Sequence, residues 1–227
     1  NVSLTLHRGE ILGISGLMGS GTIELSKMIY GALPMKSGEI LVNGKRMDAS
    51  APNKAIAGGI GFVSDDRKNE GLILRRSARE NITLSSLKKF TRGIQLRSRE
   101  ELEAVREEIR RLNIKLSSPM QLAGRLSGGN QQKLVFARAL EADTDILILD
   151  EPTRGVDVGA KAEIYSIMDR ITKEGKSIIL VSTDLPEMIG MSDRVIIMRE
   201  GRRVLELRRE ELTQEKILAY ESGGVEE

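Results

Sequence analysis

An alternation of short apolar runs with helical stretches constrains this chain more than any other feature. The runs, Glu10 to Ser15, Gly59 to Ser64, Asp145 to Asp150, Ser177 to Ser182 and Arg194 to Arg199, are bounded by Gly, Asp and other turn-forming or polar residues. Near-continuous apolar runs of this length fit strands buried on both faces, and strands spaced by helices pair in parallel. The pattern predicts an α/β fold around a largely parallel sheet. After the last run, Glu200-Gly201-Arg202 turns the chain into Val204 to Leu207, a predicted hairpin. The alternating start, Val2, Leu4 and Leu6, reads as one more strand. Between Arg67 and Leu140 the strand signal disappears. Ser98 and Glu101 there have the spacing of a capping box, and Leu102, Val105, Ile109 and Leu112 mark one face of an amphipathic helix. The block reads as a helical insertion in the α/β core, and Ser222 to Glu227 as a loose tail.

Composition narrows the chemistry. The 227 residues suit one sizeable domain with a subdomain. With no Cys and His7 as the single histidine, the chain has no means to build a zinc finger, a disulfide framework or a triad centred on a second histidine. His7 itself reads as a surface residue near a strand end, and the nine methionines as packing. A net charge of +2, with three Phe, three Tyr and no Trp, argues against nucleic acid as a partner. Apolar stretches of four residues, such as Ile178 to Val181, fall far short of the roughly 20 needed to span a bilayer, so the chain is expected to be soluble. It opens on Asn1 without Met or a leader, and is expected to be cut from something longer.

Three motifs carry chemistry. Behind the first strand comes Gly16-Leu17-Met18-Gly19-Ser20-Gly21-Thr22-Ile23, then a helical stretch through Tyr30. Strand, glycine turn and helix make a phosphate cradle, in which backbone amides point inward and the helix N-terminus adds positive potential. The template G-x-x-x-x-G-K-[ST] fits the glycines and fails at Thr22 and Ile23, so an ordinary Gly-rich turn stays open. The second motif is Ile146 to Thr153, where a buried strand ends in Asp150, able to hold Mg²⁺ through water, and Glu151, placed as a general base. An ordinary strand with a solvated acidic end is its alternative. The third is Leu126 to Lys133, with Ser127 as N-cap and Gly128 and Gly129 exposing amides to a second phosphate; a plain capped helix would not need both glycines.

Together these motifs resemble the ATP-binding cassette ATPases, over nearly the whole chain. The resemblance implies a P-loop NTPase (RecA-like) core over 1–66 and 141–221, with a helical subdomain over 67–140 carrying the signature motif. It casts Gly16, Gly19, Ser20, Gly21, Thr22 and Ile23 as the nucleotide-binding Walker A loop. Asp150 and Glu151 become the Walker B pair, with Glu151 catalytic, and Asp157 the D-loop aspartate. Ser127, Gly128, Gly129 and Asn130 belong to the signature, which in this family closes over the nucleotide of the opposite cassette. ATP and Mg²⁺ are the implied cofactors.

The strings Gly16-Leu17-Met18-Gly19, Ser64 to Lys68 with Glu70-Gly71-Leu72, Ser127 to Lys133, Arg154 to Gly159 and Asp184 to Met188 are similar to the C-terminal cassette of simple-sugar importers of the ribose, galactose and xylose type. That family fuses two cassettes in one polypeptide on the cytoplasmic face of the membrane. The implied partners are the N-terminal cassette, the membrane-spanning permease subunits and, indirectly, a periplasmic or extracellular sugar-binding protein. The segment Asp65 to Leu74 would face the permease. A nucleoside importer's cassette, or a regulatory cassette without turnover, are the alternatives. The departures fall on this cassette's own site. Thr22 replaces the Walker A Lys, Ile23 the hydroxyl that binds Mg²⁺, Asp65 the expected glutamine and a tentative Mg²⁺ ligand, and Thr183 the switch histidine. The missing Lys alone is worth roughly 1.5 to 3 kcal/mol, ten- to hundredfold in affinity. Lys27 lies too far down the helix to replace it. The resemblance thus implies a domain weak or inactive in isolation.

Overall fold

A computed structural model describes residues 2–224. Strand β1 (Ile11–Ser15) runs through the glycine turn into helix α1 (Thr22–Ile29). A small hairpin, β2 (Ile40–Val42) and β3 (Lys45–Met47), and a short helix α2 (Pro52–Ala57) lead to β4 (Ile60–Val63). The helical stretch holds α3 (Ala78–Thr83), a minimal hairpin of β5 (Thr91–Arg92) and β6 (Gln95–Leu96), α4 (Ser98–Arg111) and α5 (Gly128–Glu141). Then come β7 (Ile146–Asp150), α6 (Val158–Lys173), β8 (Ser177–Val181), α7 (Leu185–Met191), β9 (Arg194–Arg199), β10 (Arg202–Arg208) and α8 (Gln214–Ser222).

These elements sort into two compact units. One takes the chain up to Phe62, Asp145–Glu151 and Met168 onward; the other takes Val63–Thr144 and Pro152–Ile167. The division differs from the one drawn on the sequence in giving 63–66, 141–144 and 152–167 to the helical unit.

The first unit is built on a six-stranded sheet of order β10-β9-β1-β8-β7-β4. β1 pairs in parallel with both β8 and β9, β7 pairs in parallel with β8, and β10 returns antiparallel on β9 at the edge. All five residues of β1 and of β8 are buried, as expected of central strands covered on both faces. Leu12, Ile14, Ile148, Ile179, Val181, Ile196 and Met198 form the core with Ile29 and Ile60 from the flanking segments. Each such side chain stabilises the fold by about 1.5 to 3 kcal/mol when fully buried.

In the second unit α5 is buried nearly all round, with Gln131, Gln132 and Lys133 enclosed as well as its apolar residues. Leu134, Val135, Phe136, Ala137, Ala139 and Leu140 are buried, the pattern of a helix enclosed by its neighbours.

Three expectations are corrected. Val2 to Leu6 forms no strand; Val2, Leu4 and Leu6 pack partly buried against the core. Arginines take the backbone there, Arg203 donating to the Ser3 carbonyl at 3.1 Å and Arg194 to that of Thr5 at 2.7 Å. Ser98 and Glu101 make no capping box. Arg97 is the N-cap, and the buried Glu101 instead takes the Arg79 guanidinium at 2.5 Å and the Thr83 hydroxyl at 2.9 Å. The capping box of this unit is Ser77 with Glu80. Ser222 ends α8 and does not belong to a loose tail, with Gly223 as a left-handed C-cap at φ 79°; 225–227 lie outside the described residues. The hairpin of β2 and β3 was not expected. It turns on Asn43-Gly44, both at positive φ (52° and 74°), the residue pair that a two-residue hairpin favours.

Candidate nucleotide-binding site

In the first unit the sheet brings one group of candidates to a single edge. Ile14 on β1 and Asp150 on β7 are both in register with Val181 on β8. The chain leaves that edge as the glycine loop after β1, as Glu151 after β7, and as Ser182 and Thr183 after β8. Carboxyl ends of parallel strands are where open α/β sheets bind ligands. Adjacent strands lie about 4.8 Å apart, so the loop and Asp150 are separated by about two strand spacings, roughly 10 Å.

The glycines of the loop answer to geometry. Gly19 and Gly21 sit at φ 82° and 95°, the left-handed region. A methyl on Gly16 would come within 2.4 Å of Ser20 Oγ and 2.6 Å of the Met198 carbonyl. Gly201, in the β9–β10 turn, donates its N–H to the Ser20 carbonyl at 2.8 Å, and a methyl on Gly21 would sit 3.1 Å from the Gly201 Cα. The loop is therefore seated on the hairpin turn. At α1 no side chain caps the N-terminus, the first N–H groups have no acceptor within the helix, and Ser20 Oγ is buried with no hydrogen-bond partner. This backbone fits an anion.

The side chains complete it poorly. Residues 16–24 contain no Lys or Arg. Thr22 is buried, while Ile23, at 47% exposure, offers an apolar surface where a metal would need oxygen. Leu17 and Met18 are exposed too, and Glu24 places an acid in the first turn. Asp150 is 1% exposed at the sheet edge, suited to hold a cation through water. No three acidic or imidazole side chains cluster as metal ligands among the described residues. The residues present thus suit phosphate through the backbone, and offer neither a cation in 16–24 nor a side-chain oxygen at Ile23.

Glu151 has a left-handed backbone, φ 47°, which costs a non-glycine residue about 1 to 2 kcal/mol. Its N–H bonds the Val181 carbonyl at 2.8 Å, and its carboxylate accepts the Thr183 N–H at 2.7 Å. The candidate base and the switch position are thereby in direct contact, through the Thr183 backbone. Beyond it, Asp184 caps α7 by accepting the Glu187 N–H at 3.1 Å.

The second unit gathers the other candidates. Ser127 is the N-cap of α5, yet its hydroxyl makes no cap bond and accepts the Asn130 amide at 2.8 Å. Asn130 in turn accepts the Lys115 N–H at 2.7 Å. Gly129 lies so close to α6 that a methyl would come within 2.6 Å of Ala160 Cβ. Asp157 caps α6, accepting the Ala160 N–H at 2.9 Å. Asp65 belongs to this unit and pairs with Arg154 at 2.9 Å. Its neighbour Asp66 is held below the usual carboxylate range by the Asn69 amide and N–H.

Two residues here have roles that sequence reasoning missed. Arg67 donates to the carbonyls of Arg154 and Gly155 at 2.8 and 3.0 Å. Lys133, 1% exposed, donates to the Asn113 carbonyl at 2.8 Å and pairs with Glu163 of α6. The signal available for Lys133 was a charge bordering the apolar run of Leu134 to Ala137; for Arg67 there was none.

A family model described as ABC transporter matches residues 1–154. The chain belongs to the ABC transporter family. This cassette is 51% identical over 224 residues to the ribose import ATP-binding protein RbsA of Halalkalibacterium halodurans, covering 99% of the cassette and 45% of that protein. The chain thus spans about half the length of that curated relative. Among solved structures it is similar to cbiO1 of Clostridium perfringens, part of the ABC transporter complex cbiONQ (TM-score 0.78, 27% identity, 96% of this chain and 84% of that one). It is also similar to the dimeric ATP-binding cassette MJ0796 bound to ADP and Pi (TM-score 0.78, 25% identity, 92% and 89%). The ABC family binds ATP with Mg²⁺ and hydrolyses it. No helix among the described residues is long and apolar enough to cross a membrane.

Proposed function

We propose that this chain is the second of two fused cassettes in an importer of simple sugars, with a degenerate nucleotide site of its own and an intact signature that completes the partner cassette's site. The single observation that carries this is the contrast within the chain: residues 16–24 hold no cation and put Ile23 at the Mg²⁺ position, whereas Ser127 to Asn130 keep every signature residue. The 51% identity to a ribose import protein about twice as long supports the substrate class and the fused arrangement. The dimeric cassette MJ0796 supports nucleotide held between two cassettes. In this reading the first unit is the ATP-binding core, the second the helical subdomain, and the Asp65 to Leu74 segment faces membrane-spanning subunits on the cytoplasmic side.

The chain's own loop binds nucleotide weakly, through backbone amides and Ser20, and Glu151 has little polarised phosphate to act on. At the partner's site Ser127 and the amides of Gly128 and Gly129 supply donors to the γ-phosphate, with α5 adding its N-terminal potential.

The test compares the two sites in the full polypeptide assembled with its membrane subunits. Ser127→Arg is expected to stop ATP turnover and sugar uptake, and Glu151→Gln to leave turnover within about twofold. Loss of turnover in Glu151→Gln with retention in Ser127→Arg would overturn the assignment.

A further inference from the structure

The Arg154–Gly155 turn precedes Asp157 by two residues and is bent through Gly155 at φ 66°. Both of its carbonyls point at one side chain. Arg67 Nη1 bonds the first at 2.8 Å and Nη2 the second at 3.0 Å, a forked geometry that matches the planar guanidinium. The same guanidinium lies against the signature: a methyl on Gly128 would meet Arg67 Nη2 at 3.1 Å, and one on Gly155 would meet it at 3.6 Å. Arg67 Nε is buried and makes no hydrogen bond, so the side chain keeps this place at the cost of an unsatisfied donor. A second tie runs parallel, from Asp65 to the Arg154 guanidinium at 2.9 Å. The Asp65–Arg67 segment is thus bonded to the turn before Asp157 and packed on the first signature glycine, all within one unit.

We infer that Arg67 is a positioning residue, which sets the Arg154–Gly155 turn and Asp157 against Gly128 so that the signature edge meets a nucleotide in its working geometry. The inference rests on the reading that this edge serves a partner's site. The fork matters as much as the charge. A lysine at this position carries one nitrogen on a flexible stem and does not hold two adjacent carbonyls in a plane. The geometry also joins the segment assigned to the membrane subunits directly to the D-loop, without passing through the nucleotide.

The experiment uses the full polypeptide with its membrane subunits and follows kcat, KM for ATP and the thermal midpoint. Arg67→Ala is expected to lower kcat by ~10-fold or more with KM within about threefold, and Arg67→Lys to recover little of the loss. A merely structural role would move the midpoint and leave kcat per folded molecule near the parent. The Arg67→Ala, Asp157→Ala double variant is expected to be no slower than the slower single, because both act on one turn. Should Arg67→Ala fail to fold, Arg67→Gln, with one amide donor, carries the same kinetic expectation. Parental kcat, full rescue by Lys, or losses that multiply in the double variant would each overturn the inference. Ser127→Arg separates the two levels. If it abolishes turnover while Arg67→Ala does not, the positioning role falls and the signature assignment stands. If it leaves turnover intact, the assignment of the edge falls, and the positioning role with it.

Discussion

At the start of α1 and at the start of α5 the chain makes the same opening move: glycines where a side chain would collide, then a helix with unsatisfied amides. The two ends differ in what surrounds the amides. Around α1 the exposed apolar and acidic side chains are Leu17, Met18, Ile23 and Glu24, none of which attracts a phosphate, and Ser20 offers a hydroxyl but no charge. Around α5 they are Ser127 and Asn130, backed by Arg67 and by Lys133 with Glu163. The difference teaches that the backbone part of an anion cradle and its side-chain part are maintained by different forces. Gly16 and Gly21 are required by the Met198 carbonyl and the Gly201 turn whether or not nucleotide binds. On the proposed reading, the side chains at Thr22 and Ile23 answer to the ligand instead.

The comparison breaks most readily at Lys133. If the signature end is the maintained one, its buried cation supports the helix that presents it. Lys133→Met removes the donor to the Asn113 carbonyl and the partner of Glu163. Glu163 keeps 40% of its side chain exposed and is partly resolvated, so the expected cost is about 2 to 3 kcal/mol and not the larger value of a fully buried pair. Denaturant melts of the variant measure it. A loss under about 0.5 kcal/mol, the size of an ordinary surface substitution, would mean the ion pair does not support that end.

A gain at the other end sharpens the same contrast. On the proposed reading, Thr22→Lys with Ile23→Ser supplies the two side-chain contacts that the loop lacks. Affinity for an ATP analogue with Mg²⁺ is expected to rise ten- to hundredfold, about 1.4 to 2.7 kcal/mol. Equilibrium titration of parent and variant decides it. An unchanged affinity would place the defect in the backbone, and the two helix ends would then differ in more than their side chains.

How far these features could be read from sequence follows from the physics behind each. The parallel strands were legible because burial on both faces leaves a continuous apolar run, as in β8. Val2 to Leu6 alternates like a strand, yet its Ser3 and Thr5 carbonyls are taken by Arg203 and Arg194 from the far end of the chain, which no local pattern reveals. Ser98 and Glu101 had the right spacing, but Glu101 finds better partners in Arg79 and Thr83, a tertiary override of a local rule. The candidate edge of the sheet was legible in Asp150 and Glu151 because strand ends collect ligands. The grip of Arg67 on two carbonyls was not, since backbone acceptors have no signature in sequence.

The smallest effect compares a buried acid of each unit. Glu108 on α4 is pushed above the ordinary glutamate value of 4.5 by burial, against the opposing Arg111 at 3.0 Å and with Glu141 and Glu107 adding to the rise. Glu10, before β1, is also pushed up by burial, but Arg194 and the His7 N–H outweigh it and hold it below 4.5. The stability contributions therefore run in opposite directions. For Glu108 it is fully present below the unfolded value and lost as pH rises through the raised folded value; for Glu10 it is present above the unfolded value and lost as pH falls through the depressed one. Glu108→Gln is expected to stabilise the chain at pH 7 by no more than about 1 kcal/mol, the gain fading as pH falls toward 4.5. Glu10→Gln is expected to destabilise it at pH 7, with the deficit persisting at 4.5 and closing only at lower pH. Melts of both variants across this range read the two signs independently. A destabilised Glu108→Gln at pH 7 would show that the Arg111 pair outweighs burial, and that the two units handle their buried acids alike.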